Sequence, residues 1–264
     1  MVDQSLKTLD ALPFGTGILL AGLIGLLLGS FIATLVLRWP EGRSLLGRSQ
    51  CDGCGRALGV RDLVPLVSAA LSRGRCRTCG ARINPFHGRV ELVSALIGAG
   101  ALALLPGTAG WLWALFGWLL LPLALLDARH FWLPDRLTLI LAVAGLMFAG
   151  PMLGTSLIDR WVGAIVGGSA LALIAWLYGK ARGKTGMGGG DPKLAAAIGA
   201  WLGWQALPLM LLLASLGGIV WALVEQRKGD QPLGERRVPF GLFLCGAAFA
   251  AVPLWPLLVP FQLR

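Results

Sequence analysis

Eight apolar runs constrain this chain more than any other feature. They fall at about 12–37, 90–106, 111–126, 137–153, 159–179, 194–207, 208–225 and 239–260, the sixth being short. Runs of this kind read as membrane spans. Lipid offers a bare N–H or C=O no partner, so each run is expected to be a helix. The expected architecture is an all-α polytopic membrane protein with about eight transmembrane helices. Composition excludes a soluble core: 56% of the 264 residues are hydrophobic and 14% charged, with a mean hydropathy of +0.74. The first run is too long for a signal-peptide core and no A-x-A cleavage pattern follows it, so it is read as an uncleaved span. The 11 Trp suit interfacial anchoring or buried packing.

Charge then orients the spans. If residue 1 lies outside, the segments facing the cytoplasm are 38–89, 127–136, 180–193 and 226–238, and these hold 20 of the 23 Lys and Arg. Only Lys7, Arg160 and Arg264 fall elsewhere. The positive-inside rule therefore accounts for the net charge of +10 without nucleic acid as a partner, and places both termini on the periplasmic side. The expected division is a first helix over 1–37, a cytoplasmic loop over 38–89, and a transmembrane domain over 90–264.

Within that loop stand Cys51-Asp52-Gly53-Cys54 and Cys76-Arg77-Thr78-Cys79, with 21 residues between the pairs. Two CxxC pairs offer four soft thiolates to one ion, the ligand set of a closed structural zinc site. Disulfides are disfavoured in a reducing compartment. A metal would fold a loop with too little apolar mass for a core of its own. Four thiolates also leave no open position for catalysis. The ten basic residues of the loop are expected to meet anionic lipid head groups. Cys245, alone in an apolar run, reads as packing, and His87 and His130 as boundary residues.

Acids near hydrocarbon are costly, so those at the cytoplasmic boundary are functional candidates. Asp127 closes the third run, where its charge faces the negative end of its own helix dipole, a placement that calls for a function or a cation such as Arg129. Asp135 precedes the fourth run and reads as a supporting acid or a helix cap. Asp191 follows Gly188-Gly189-Gly190, with Lys193 two residues on. More glycine precedes it than capping needs, which points to an irregular turn with φ > 0 and close packing. Two converging carboxylates suit an aspartyl protease, in which one ionised acid activates water and the other, protonated, polarises the scissile carbonyl. They equally suit a proton-coupled transporter. A third reading is a zinc-ribbon assembly factor in which the acids are dispensable.

The residues then form a recognisable set: Asp127 with Leu133-Pro134-Asp135, Gly188-Gly189-Gly190-Asp191 with Lys193, and the double CxxC loop. Gly29-Ser30-Phe31, Asp62-Leu63-Val64-Pro65, Val90-Glu91-Leu92 and Pro239-Phe240-Gly241 extend it over most of the chain. This pattern resembles the bacterial type IV prepilin peptidases, GxGD-type intramembrane aspartyl proteases that also serve type II secretion. The resemblance implies that Asp127 and Asp191 are the catalytic pair and that Gly188 and Gly190 shape the active-site turn. It implies an inner-membrane enzyme that cuts the short basic leader of prepilins or pseudopilins on the cytoplasmic side. It further implies N-methylation of the new terminus with S-adenosylmethionine.

Overall fold

The computed structural model describes residues 10, 12–45, 50–51, 53–59, 65–66, 68, 72–183, 187–227 and 238–258. Asp52, Asp62, Leu63 and Val64 of the motifs above, and both chain ends, lie outside them. The described residues form nine helices: α1 (Phe14–Arg38), α2 (Pro85–Leu104), α3 (Thr108–His130), α4 (Asp135–Phe148), the short α5 (Gly150–Leu153), α6 (Leu157–Arg182), α7 (Gly190–Leu202), α8 (Leu207–Gln226) and α9 (Phe240–Leu258). The strand-like geometry described is confined to two isolated bridges. Every apolar run is thus helical, the fourth as α4 and α5 together. Five helices, α1, α2, α3, α6 and α8, are long and apolar enough to cross a membrane. Side chains exposed along them, such as Leu19, Leu23 and Leu27 on α1 and Leu212 and Ile219 on α8, suit contact with lipid rather than water.

The chain forms two units, Met1–Gly107 and Thr108–Arg264. In the first, α1 and α2 pack backbone to backbone. A Cβ on Gly29 would lie 2.6 Å from the Glu91 Cα, so only glycine permits this approach. Asn84 caps α2 by accepting from the Phe86 N–H at 3.0 Å, ahead of Pro85 at the first helical position. Glu91 on α2 is buried, and its Oε2 accepts from the Leu66 N–H at 2.9 Å. That bond ties the segment between α1 and α2 to the helix that follows it.

In the second unit α7 is the inner element. Leu194, Ala195, Ile198, Ala200 and Trp201 have no exposed surface, so beyond its first turn the helix is largely buried, as a helix of apolar residues is expected to be. Its 13 residues reach only about 20 Å. Gly163 of α6 and Gly199 of α7 meet so closely that neither has room for a Cβ. On another face the Trp201 Nε1 donates to the Leu141 carbonyl of α4 at 2.7 Å, and its ring stacks on Phe116 of α3 at 4.8 Å. Buried and exposed Trp both occur: Trp113 and Trp201 are core, while Trp161, Trp176 and Trp221 are exposed.

Arg160 stood out in the charge pattern, and its surroundings explain it. The side chain is buried on α6, and its Nη1 donates to the carbonyls of Gly145 at 3.0 Å and Leu146 at 2.8 Å. The last carbonyls of a helix have no partner within it and carry partial negative charge, so a guanidinium there completes the end of α4.

Candidate active site and metal centre

Asp127 and Asp191 both lie in the second unit, and both are buried, at 5% and 6% exposure. Asp127 occupies the last turn of α3. That helix stops at Phe131, whose left-handed φ of 50° turns the chain while its N–H donates to the Asp127 carbonyl at 2.9 Å. The carboxylate is held by the beginning of α9: its Oδ2 accepts from the Leu242 N–H at 2.9 Å, and the Gly241 N–H also faces it. An acid badly placed on its own helix thus sits at the positive end of another. Glycine at 241 leaves room for this carboxylate: a Cβ there would lie 2.9 Å from the Asp127 Oδ2 and 3.0 Å from the Leu133 Cδ1, so one of those side chains would have to shift. Reasoning from the sequence missed this partner. Its signal was present in Pro239-Phe240-Gly241.

Asp191 is the second residue of α7, and its Oδ2 accepts from the Gly188 N–H at 3.2 Å. The two acids are near enough for the charge of Asp127 to act on Asp191. Cys245 lies one turn beyond Gly241 on α9 and is buried, at 2% exposure. Of the two roles expected of the glycines before Asp191, the described ones show close packing and not a left-handed turn. None of Gly188, Gly189 and Gly190 has a positive φ. What Gly190 provides is space, since a Cβ there would lie 2.9 Å from the Leu133 Cβ. Leu133 therefore touches the beginnings of both α7 and α9.

Asp135 opens α4 but caps nothing: Pro134 holds the cap position and makes no side-chain bond. Its carboxylate instead takes both bonds of an ion pair with the Lys193 Nζ, at 2.7 and 2.9 Å. Both side chains are well exposed. Lys193 is thereby fixed to the end of the turn between α3 and α4, where α4 begins.

The cysteines lie in the first unit as two matching knuckles. In one the Gly55 N–H donates to the Cys51 carbonyl at 2.9 Å and the Cys51 N–H to the Arg56 carbonyl at 2.9 Å. In the other Gly80 donates to Cys76 at 2.9 Å and Cys76 to Ala81 at 2.8 Å. Gly55 and Gly80 hold φ of 69° and 71°, the left-handed turn that favours glycine. The four sulfurs, all free thiols, lie within 4.8 Å of one another, Cys51 and Cys79 at 3.7 Å. A tetrahedral ion with Zn–S bonds of about 2.3 Å needs sulfurs about 3.8 Å apart, so the set fits zinc. Amides of Cys79 and Thr78 hold the Cys76 thiol at about 6. The Ala81 amide acts on Cys79 in the same direction, but Cys54, burial and the other sulfurs outweigh it and push that thiol up to about 11. Four thiols so crowded lose their protons together only with a cation among them.

Fold and site thus define a helical membrane protein with a buried acid pair in one unit and a tetracysteine cluster in the other. Residues 114–223 match the Type IV leader peptidase family and residues 23–104 the Bacterial Peptidase A24 N-terminal domain. A prepilin leader peptidase/N-methyltransferase of Burkholderia pseudomallei (strain K96243) is 39% identical over 96% of this chain and 92% of its own length. Proteins of the same name from Aeromonas hydrophila (40% identical; 82% and 74% covered) and Pseudomonas aeruginosa (37%; 88% and 88%) are also similar. No solved structure matches. The chain belongs to the type IV leader peptidase family and is a peptidase. Among the three readings that the acids left open, membership selects the protease.

Proposed function

We propose that the protein is an aspartyl endopeptidase that removes the short basic leader of type IV prepilins or type II secretion pseudopilins. The observation that carries this reading is the pair of buried carboxylates, Asp127 and Asp191, brought from separate helices to within each other's field. Two acids so placed share one proton, and their titration belongs to the pair. The ionised member takes a proton from water as that water attacks the scissile carbonyl. The protonated member hydrogen-bonds the carbonyl oxygen and later protonates the leaving amine. Gly190 lets Leu133 pack beside Asp191, and Gly188 keeps the approach to its carboxylate free of side chains and open to a substrate strand.

In this reading the eight helical runs all lie in the bacterial inner membrane with both termini periplasmic. Because α7 is too short to span alone, its buried course lets Asp191 sit at the cytoplasmic boundary inside the bundle. Cys51, Cys54, Cys76 and Cys79 hold a structural zinc that folds the cytoplasmic loop, whose basic residues contact anionic lipid. The names of the relatives extend the reading to N-methylation of the new terminus, with S-adenosylmethionine as donor.

The test is a cleavage assay with purified enzyme and a prepilin, with the product mass measured with and without S-adenosylmethionine. The reading expects loss of the leader in both, and 14 Da more (the mass of CH₂, about one methyl added) only with the donor. An intact prepilin under conditions where a known relative cuts it overturns the peptidase assignment for this substrate class.

A further inference from the structure

The turn between α3 and α4 touches both acid-bearing regions, and its contacts come in register. Leu133 fills the space left at Gly190, the residue before Asp191. Two residues on, Asp135 binds Lys193, two residues after Asp191. Asp191 is thus bracketed by two contacts from one short segment. The same Leu133 abuts Gly241, whose missing Cβ leaves room for the Asp127 carboxylate, and Asp127 itself lies one turn back on α3. A single stretch of chain therefore reaches the surroundings of both acids.

The ion pair is the part of this arrangement that ordinary stability does not explain. Both side chains are more than half exposed, at 57% and 71%, and exposed pairs add little to stability. Nor does Lys193 suit its helix, since a cation in the first turn of α7 faces the positive end of the dipole. Asp135 supplies the compensating charge from another element. The pair touches neither acid directly. Its effect is to fix where the first turn of α7 stands.

We propose that Asp135 and Lys193 are positioning residues: their ion pair straps the first turn of α7 to the α3–α4 turn and so sets Asp191 against Asp127. This rests on the assignment of those two acids as the catalytic pair. Near-attack geometry is sensitive to small displacements, so breaking the strap lowers kcat of leader cleavage about tenfold while KM stays near its wild-type value. Lys193→Met and Asp135→Asn break the same pair from opposite sides. Lys193→Arg keeps it.

The experiment measures kcat and KM per mole of detergent-purified enzyme for these variants and for the reversals Asp135→Lys, Lys193→Asp and their double. The strap predicts that Lys193→Arg retains most of the rate and that the double reversal is faster than either single reversal. Wild-type kcat in both Lys193→Met and Asp135→Asn overturns it, as does a double reversal no better than the worse single. Should one neutralised variant fail to accumulate, the other tests the same bond. Asp127→Asn and Asp191→Asn run alongside separate the two levels. Activity retained in these defeats the catalytic assignment, whereas their inactivity beside unaffected strap variants defeats only the strap.

Discussion

The cysteine cluster and the acid pair both crowd groups that repel one another when ionised, and they are built by opposite means. Each cysteine knuckle carries its own turn: two cysteines and a left-handed glycine closed by backbone hydrogen bonds, all within six residues, Cys51–Arg56 and Cys76–Ala81. The acid pair has no such local frame. Asp127 ends one helix and is held by the beginning of another, 115 residues away at Leu242, while Asp191 sits at the beginning of a third. A local site of this kind tolerates change elsewhere, and a metal bound by its four sulfurs would complete it. An assembled one is exposed to every helix that frames it.

The largest effect should come from the acids themselves. Asp127→Asn or Asp191→Asn should lower leader cleavage about 10²–10⁴-fold, the usual scale for losing a general acid or base, with the protein still in the membrane. Cleavage kinetics beside a membrane-fraction blot check this, and near-wild-type turnover in either variant would remove the acid pair from the mechanism. The tetracysteine unit should respond differently if it is a folding device. It should lose metal without losing this chemistry outright.

Next in size is the frame around the acids. Gly241→Val would push a side chain into Asp127 and Leu133, and overpacking of this kind costs about 1–3 kcal/mol, or about five- to 150-fold if all of it falls on the active geometry. Cutting Leu133 back to Ala makes room, so Leu133→Ala in the Gly241→Val background should recover part of the cleavage rate. No recovery would mean that the valine acts on Asp127 alone and that Leu133 does not link the two helix beginnings.

These contrasts also mark what the sequence could reveal. The helices were legible because lipid leaves an apolar run no alternative, and the knuckles because every part of them is adjacent in sequence. Asp127 and Asp191 could be singled out as candidates, since an acid beside an apolar run is conspicuous. Their support could not. That Leu242 holds Asp127, or that Asp135 pairs with Lys193 instead of capping α4, depends on where distant helices begin in space. The glycines before Asp191 mislead for a related reason: a glycine needed for φ and one needed for the space taken by Leu133 look the same in a sequence.

A smaller effect on cleavage, with a large one on metal, is expected in the other unit. Purified protein should contain one zinc per chain by elemental analysis, and the paired change Cys51→Ser with Cys76→Ser should remove it. Structural zinc sites contribute about 10–16 kcal/mol of apparent binding free energy, so the loop should become open to protease when the ion is lost or chelated. Cleavage should fall only a few-fold, about the size of an indirect effect, and far less than with the acid variants. A collapse of cleavage to the level of Asp191→Asn would show that the two regions are not separable in function. Four alkylatable thiols with no metal would reject the zinc itself.

The smallest effect on turnover should come from Trp201→Phe, and it tests what kind of support α7 needs. The indole N–H donates to the buried Leu141 carbonyl at 2.7 Å, and the ring stacks on Phe116. Phenylalanine keeps an aromatic face but leaves that carbonyl without this donor, a loss of about 1–3 kcal/mol when the acceptor stays buried. The substitution sits three turns from Asp191, near the far end of a helix already fixed at its beginning by Leu133 and Lys193. Its cost should therefore fall on stability, with a lower thermal midpoint and kcat within about twofold of wild type. A larger drop in kcat at full folding would mean that α7 moves as a rigid rod, so that its far end helps to aim Asp191. The acid pair would then depend on the whole length of the helix and not on its first turn.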